Sequence, residues 1–176
     1  MGESPTQRGL RLAVIDNTLL SRLVDLDLAE FLPWVFKLIL IPPEVKREAY
    51  RTKHGGKRRL RNLIREMAGF FVDCREVDES IREFLKADLD AGESAAIAQA
   101  DFKNSLLLLD EERGFKRATT MQITVVRTGR LLNMLKDAGA IREVRPYHEK
   151  LDRLGFYITT EIRNQLLLEA GEIESS

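Results

Sequence analysis

At 176 residues the chain has the length of one compact domain, and a hydrophobic content of 44% is enough for a real core and too much for a disordered chain. Its 28 basic residues cancel its 28 acidic ones, so net charge argues neither for nor against a nucleic-acid partner. The single cysteine, Cys74, excludes an internal disulfide and a cysteine-based zinc cluster. Residues 1–9 are polar and hold no signal-like stretch, and the longest apolar run, 31–41, is broken by Pro33 and Lys37 and too short for a bilayer; the expectation is a cytoplasmic protein with no membrane partner.

Residues 10–15 form a nearly continuous apolar run ending in Val-Ile, the pattern of a strand covered on both faces, and the run stops at Asp16. A helix follows, capped by Asp16 or Asn17, with Leu19, Leu20 and Leu23 on one face. Residues 35–41 predict a second strand, closed by Pro42-Pro43. Proline is tolerated in a first helical turn, so a helix begins there and carries Val45, Glu48 and Ala49. His54-Gly55-Gly56 breaks it, and a second amphipathic stretch continues to Met67. Residues 70–77 predict a third strand. Ile81, Phe84 and Leu85 mark a helix, and another after Ala91-Gly92 carries Ala96, Ile97 and Ala100. Residues 106–109, all leucine, predict a buried strand that ends, like the first, on an aspartate, Asp110. Helix 112–120, strand 123–127 and helix 130–138 continue an alternation that predicts an α/β fold with right-handed crossovers and a mainly parallel sheet. From Ile141 the pattern changes to two helices flanking Phe156-Tyr157-Ile158. The expected division is a main domain over 10–141 and a helical extension over 142–176 packed on it.

Ligands of open parallel sheets bind outside the carboxyl ends of the strands, where Asp16 and Asp110 both fall. Each also reads as a helix cap, favoured by orphan amides and the helix dipole, and Glu111 and Glu112 extend the acidic turn behind Asp110. Asp90-Ala91-Gly92-Glu93 has the spacing of a capping box, with Glu93 reaching back to the cap amide. Glu48 has the spacing of a surface acid paired with Arg51, and Thr18 that of a first-turn residue.

Taken together, four segments resemble the PIN-domain family, in particular its VapC-like branch. They are Val14-Ile15-Asp16-Asn17-Thr18, Ile41-Pro42-Pro43-Glu44-Val45-Lys46-Arg47-Glu48, Leu89-Asp90-Ala91-Gly92-Glu93-Ser94-Ala95-Ala96-Ile97 and Leu107-Leu108-Leu109-Asp110-Glu111. The resemblance implies a PIN-like three-layer fold, a five-stranded parallel sheet flanked by helices, with a pocket of acids at its carboxyl edge. It places Asp16, Glu48, Glu93 and Asp110 as the four acids, Thr18 as a supporting hydroxyl and Glu111 as a fifth candidate. Thr128 falls where the family has a Gly-Thr pair, with Arg127 in place of the glycine.

Hard oxygen donors without histidine or thiolate favour Mg²⁺ or Mn²⁺. Asp16, Glu93 and Asp110, with Glu111, are the candidate ligands, and Glu48 is assigned to a water nucleophile or a second ion. Only His54 and His148 exist, one in a polar break and one in the extension, so histidine-based cleavage is disfavoured. The segment 51–61 is strongly basic; Lys57, Arg58, Arg59 and Arg61 start close after Glu48 in sequence and are candidate contacts for RNA phosphates, against the alternative of a solvated helix face. The expected activity is a metal-dependent ribonuclease, as a toxin held by a small antitoxin and as a homodimer if the VapC-like resemblance extends that far. The alternatives are a non-catalytic PIN-fold subunit that binds RNA or a partner, and a DNA nuclease of the same family.

Overall fold

A computed structural model describes residues 11–51 and 56–173. Strands β1 (Arg11–Ile15), β2 (Phe36–Ile41), β3 (Phe71–Asp73), β4 (Leu106–Leu108) and β5 (Val125–Val126) make one sheet in the order β3-β2-β1-β4-β5. Every adjacent pair is parallel. The helices are α1 (Asn17–Asp25), α2 (Pro43–Arg51), α3 (Gly56–Glu66), α4 (Glu79–Leu85), α5 (Ala91–Lys103) and α6 (Glu112–Thr120) between the strands, and α7 (Thr128–Asp137) after the last of them. Helices α8 (Arg145–Arg153) and α9 (Thr160–Glu169) follow. The protein is therefore an α/β fold with a five-stranded parallel sheet flanked by helices. Because the sheet is covered, its central strands are apolar on both sides: Ala13, Val14 and Ile15 of β1, like Leu107 and Leu108 of β4, are fully buried.

The elements follow the alternation read from the sequence, with shorter strands. The third strand ends at Asp73 rather than 77, because its ladder runs Ile39↔Phe71, Leu40↔Val72, Ile41↔Asp73 and stops where β2 stops. The last strand keeps only Val125–Val126 of 123–127, and the helix after it begins at Thr128, two residues early, with Arg127 as its N-cap. A 3-10 turn over Ala29–Trp34 was not anticipated; Ala29 and Leu32 are its buried side chains, and Pro33 sits inside it. The break at His54 and the side chain of Lys57 lie outside the described residues.

The chain beyond Ile141 packs on α7. Leu166 lies so close to Gly129 that a Cβ there would stand 2.5 Å from Leu166 Cδ1. Asn133 Nδ2 donates to the Leu166 carbonyl at 3.0 Å and Lys136 Nζ to the Ala170 carbonyl at 2.7 Å. Among the described residues no helix is long and apolar enough to cross a membrane.

Candidate active site

Strand order reverses direction beside β1: the chain moves out through β2 and β3, then returns to place β4 on the other side. Such a switch point leaves a crevice at the carboxyl ends of the two diverging strands. The Asp16 amide donates to the Leu108 carbonyl at 3.0 Å, which ties the end of β1 to the end of β4. Asp16 sits in that crevice, 2% exposed, and caps α1 by accepting from the Thr18 amide at 2.9 Å. Burial raises its carboxyl to about 6 and the Asp90 charge pushes the same way, against hydrogen bonds from the Thr18 and Asn17 amides and the Thr18 hydroxyl. Thr18 is thus a supporting residue through both its amide and its hydroxyl.

Glu48 reaches the crevice from α2 and Glu93 from α5. Each carboxyl is raised to about 7, by burial first and then by the charges of Asp90 and Asp16. Glu48 is held by the Gly92 amide, and a Cβ on Gly92 would stand only 2.7 Å from Glu48 Cδ, so the first turn of α5 needs a glycine there. Glu93 completes the capping box: its amide donates to Asp90 Oδ1 at 2.8 Å, and its Oε2 accepts from the Asp90 amide at 3.4 Å. Cap and pocket acid are the same residue. Glu111, at the N-cap of α6, makes no side-chain cap bond, and its charge contributes to the rise at Glu93.

Asp110 lies beside this group but is compensated differently. Oδ1 accepts from the Thr128 amide at 2.8 Å, and Oδ2 takes the Thr128 hydroxyl and an ion pair from Arg22. Thr128, 4% exposed, is therefore a fixed partner of Asp110, and Arg127 donates to the Asp110 carbonyl at 2.8 Å where a glycine could not. The Arg22 guanidinium also lies 3.9 Å from the ring centroid of Phe156 in the extension.

Two residues of this site escaped the sequence. Asp90 reads there only as a cap, yet its charge acts on Asp16, Glu48 and Glu93. Arg22 carries one signal, a cation on a helix otherwise marked by Leu19, Leu20 and Leu23. Of the basic segment, the described cations Arg59 and Arg61 have partners elsewhere. Arg59 pairs with Asp27, just past the end of α1 opposite to Asp16, and Arg61 donates to the Tyr50 carbonyl at 2.9 Å and faces its ring.

Among the described residues no three acidic, histidine or cysteine side chains are close enough, as they stand, to enclose a metal ion. The donor set nevertheless fits one. Asp16, Glu48 and Glu93 are oxygen donors, buried or half-buried, whose mutual repulsion a hard divalent cation would relieve.

Carboxylates at the switch point of a parallel sheet can hold a hard divalent cation there. A family model described as a PIN domain matches residues 12–172, and the chain belongs to that family. PIN domains are generally nucleases and typically use divalent metals. No curated protein matches the chain.

Proposed function

We propose that the protein is a Mg²⁺- or Mn²⁺-dependent endoribonuclease that hydrolyses single-stranded RNA at the carboxyl edge of β1 and β4. The observation that carries this reading is the trio Asp16, Glu48 and Glu93, with carboxyls raised to about 6 and 7 by burial and by neighbouring acids. Asp16 and Glu93 would hold the ion, which when bound stabilises charge on the phosphoryl oxygens. Glu48, at about 7, suits proton abstraction from the attacking water, and the Gly92 amide orients it. Asp110, engaged by Arg22 and Thr128, is a weaker ligand and instead fixes the wall of the crevice. Cleavage of a single-stranded RNA should need Mg²⁺ or Mn²⁺ and vanish in EDTA, with single-stranded DNA of the same sequence cut more slowly. Full cleavage in chelator would overturn the metal reading, and faster cleavage of DNA the RNA reading.

The basic helix α3 is proposed to contact only RNA long enough to pass from the carboxyl edge to the far end of α1. Glutamine at Arg58 and Arg61 should then flatten the salt dependence of affinity for long but not for short strands. The toxin role rests on the VapC-like resemblance. Its test is growth arrest on expression, with the Asp16→Asn protein as the control that should not arrest growth.

A further inference from the structure

Beside the acids, between α6, α7 and the extension, lies a cleft of about 710 Å³ that the proposed chemistry leaves unused. The volume is within the usual range for a small-molecule site. Asp110 and Glu111 form one edge, and the Glu111 charge reaches Glu93 in the crevice. His148 of α8 lines it and is 1% exposed, yet neither Nδ1 nor Nε2 has a hydrogen-bond partner. Burial pushes its pKa down, leaving a neutral imidazole with one donor and one acceptor to offer. A buried polar ring without partners is a standing cost, and a ligand carrying both donors and acceptors would relieve it once a small shift of the lining uncovers the covered nitrogens.

The other walls say what kind of ligand this is. Phe156 and Phe115 line the cleft, each with a guanidinium over its ring, and Tyr157 stands 78% exposed at its margin. The arginines are already matched by acids: Arg22 with Asp110, Arg127 with Glu112 and Arg130 with Glu169. The lining therefore offers little net positive charge for a free phosphate, and in Tyr157 an exposed aromatic face for a neutral heterocycle.

We propose that this cleft is a nucleobase subsite: one unpaired base of the RNA stacks on Tyr157 and sets its hydrogen-bonding edge against His148. The sugar–phosphate chain then leads past Asp110 and Glu111 to the acids at the switch point. The assignment rests on the ribonuclease reading for its substrate, and it explains why the extension closes over α7 rather than standing apart.

Histidine NMR tests it without cleavage, because His54 is the only other histidine in the chain. A His54→Gln protein labelled with ¹⁵N-histidine, kept in EDTA, is titrated with each of the four ribonucleoside 5′-monophosphates and with inorganic phosphate. At least one nucleotide should shift the His148 ring signals saturably, and phosphate should not. Tyr157→Ala, an exposed change that spares the core, should weaken that binding about tenfold, the usual scale for loss of a base-stacking aromatic. A silent His148 with all four nucleotides, an equal response to phosphate, or unchanged affinity in Tyr157→Ala would each overturn the subsite. RNA cleavage with a silent His148 removes the subsite and leaves the function; saturable nucleotide binding without any cleavage does the reverse.

Discussion

Asp16 and Asp110 each follow a central strand, but different groups balance their charge. Amides and the Thr18 hydroxyl hold Asp16, whereas Asp110 has the Arg22 guanidinium as well as Thr128. Asparagine should therefore separate them. Asp16→Asn keeps an oxygen for the Thr18 amide while removing a buried charge, so cleavage should fall by orders of magnitude with stability kept or raised in metal-free buffer. Asp110→Asn leaves Arg22, whose side chain is 14% exposed, without its anion and should cost about 1–3 kcal/mol. Urea denaturation of the two variants checks this; equal stability would mean that the Arg22 pair contributes nothing. The difference was not legible in the sequence, where both aspartates end an apolar run. Caps and capping boxes are local and can be read from spacing, as at Asp90 and Glu93, but Arg22 and Asp110 are 88 residues apart.

Helix α5 shows how one element can carry the site. Its first turn supplies Asp90 as the cap, Gly92 to admit Glu48, and Glu93 as both cap partner and pocket acid, while its middle, from Ser94 to Ala100, is buried. Gly92→Ala should gain up to about 1 kcal/mol of helix propensity yet drive a methyl group into the Glu48 carboxylate. The expected outcome is a folded protein whose cleavage rate drops roughly tenfold or more, because the proton acceptor of the attacking water is displaced. Circular dichroism and turnover read the two effects apart, and a fully active Gly92→Ala protein would remove Glu48 from the mechanism. Elements of this kind were legible because strand-like apolar runs and helical spacing differ in period. Their ends were less so: β3 stops where the β2 ladder stops, which no local signal marks. The described part of the basic segment shows the same limit: it follows Glu48 closely in sequence, yet α3 packs against α1 and α2 with Arg59 on Asp27 and Arg61 on the Tyr50 carbonyl, partners that no local signal marks.

Across the whole molecule, the crowded acids make folding stability depend on pH and on metal together. The carboxyls of Glu48 and Glu93 stand at about 7 and that of Asp16 at about 6, above their ordinary values of 4.5 and 3.8. The folded state thus binds protons that the unfolded chain has already released, so the contribution of these groups is lost as pH rises through 6 and 7. His148 works in the other direction, because burial keeps it neutral and the unfolded ring gains a proton near 6.5. Between pH 8 and about 6.5 the two glutamates outweigh His148, whose unfolded ring is half-protonated only at the lower end and there subtracts about 0.4 kcal/mol. In EDTA the melting temperature should rise by a few degrees as pH falls across this window, because each glutamate recovers under about 1 kcal/mol within it, less its solvent screening, at roughly 2–4 °C per kcal/mol for a chain of this size. Mg²⁺ or Mn²⁺ should raise the melting temperature at pH 8 and do less at 6.5, since proton and cation compete for the same oxygens. Asp16→Asn should flatten both dependences. A melting temperature that ignores pH across this window, or that responds equally to the metal at both ends of it, would show that the acids at the switch point are not the uncompensated set from which the proposed chemistry follows.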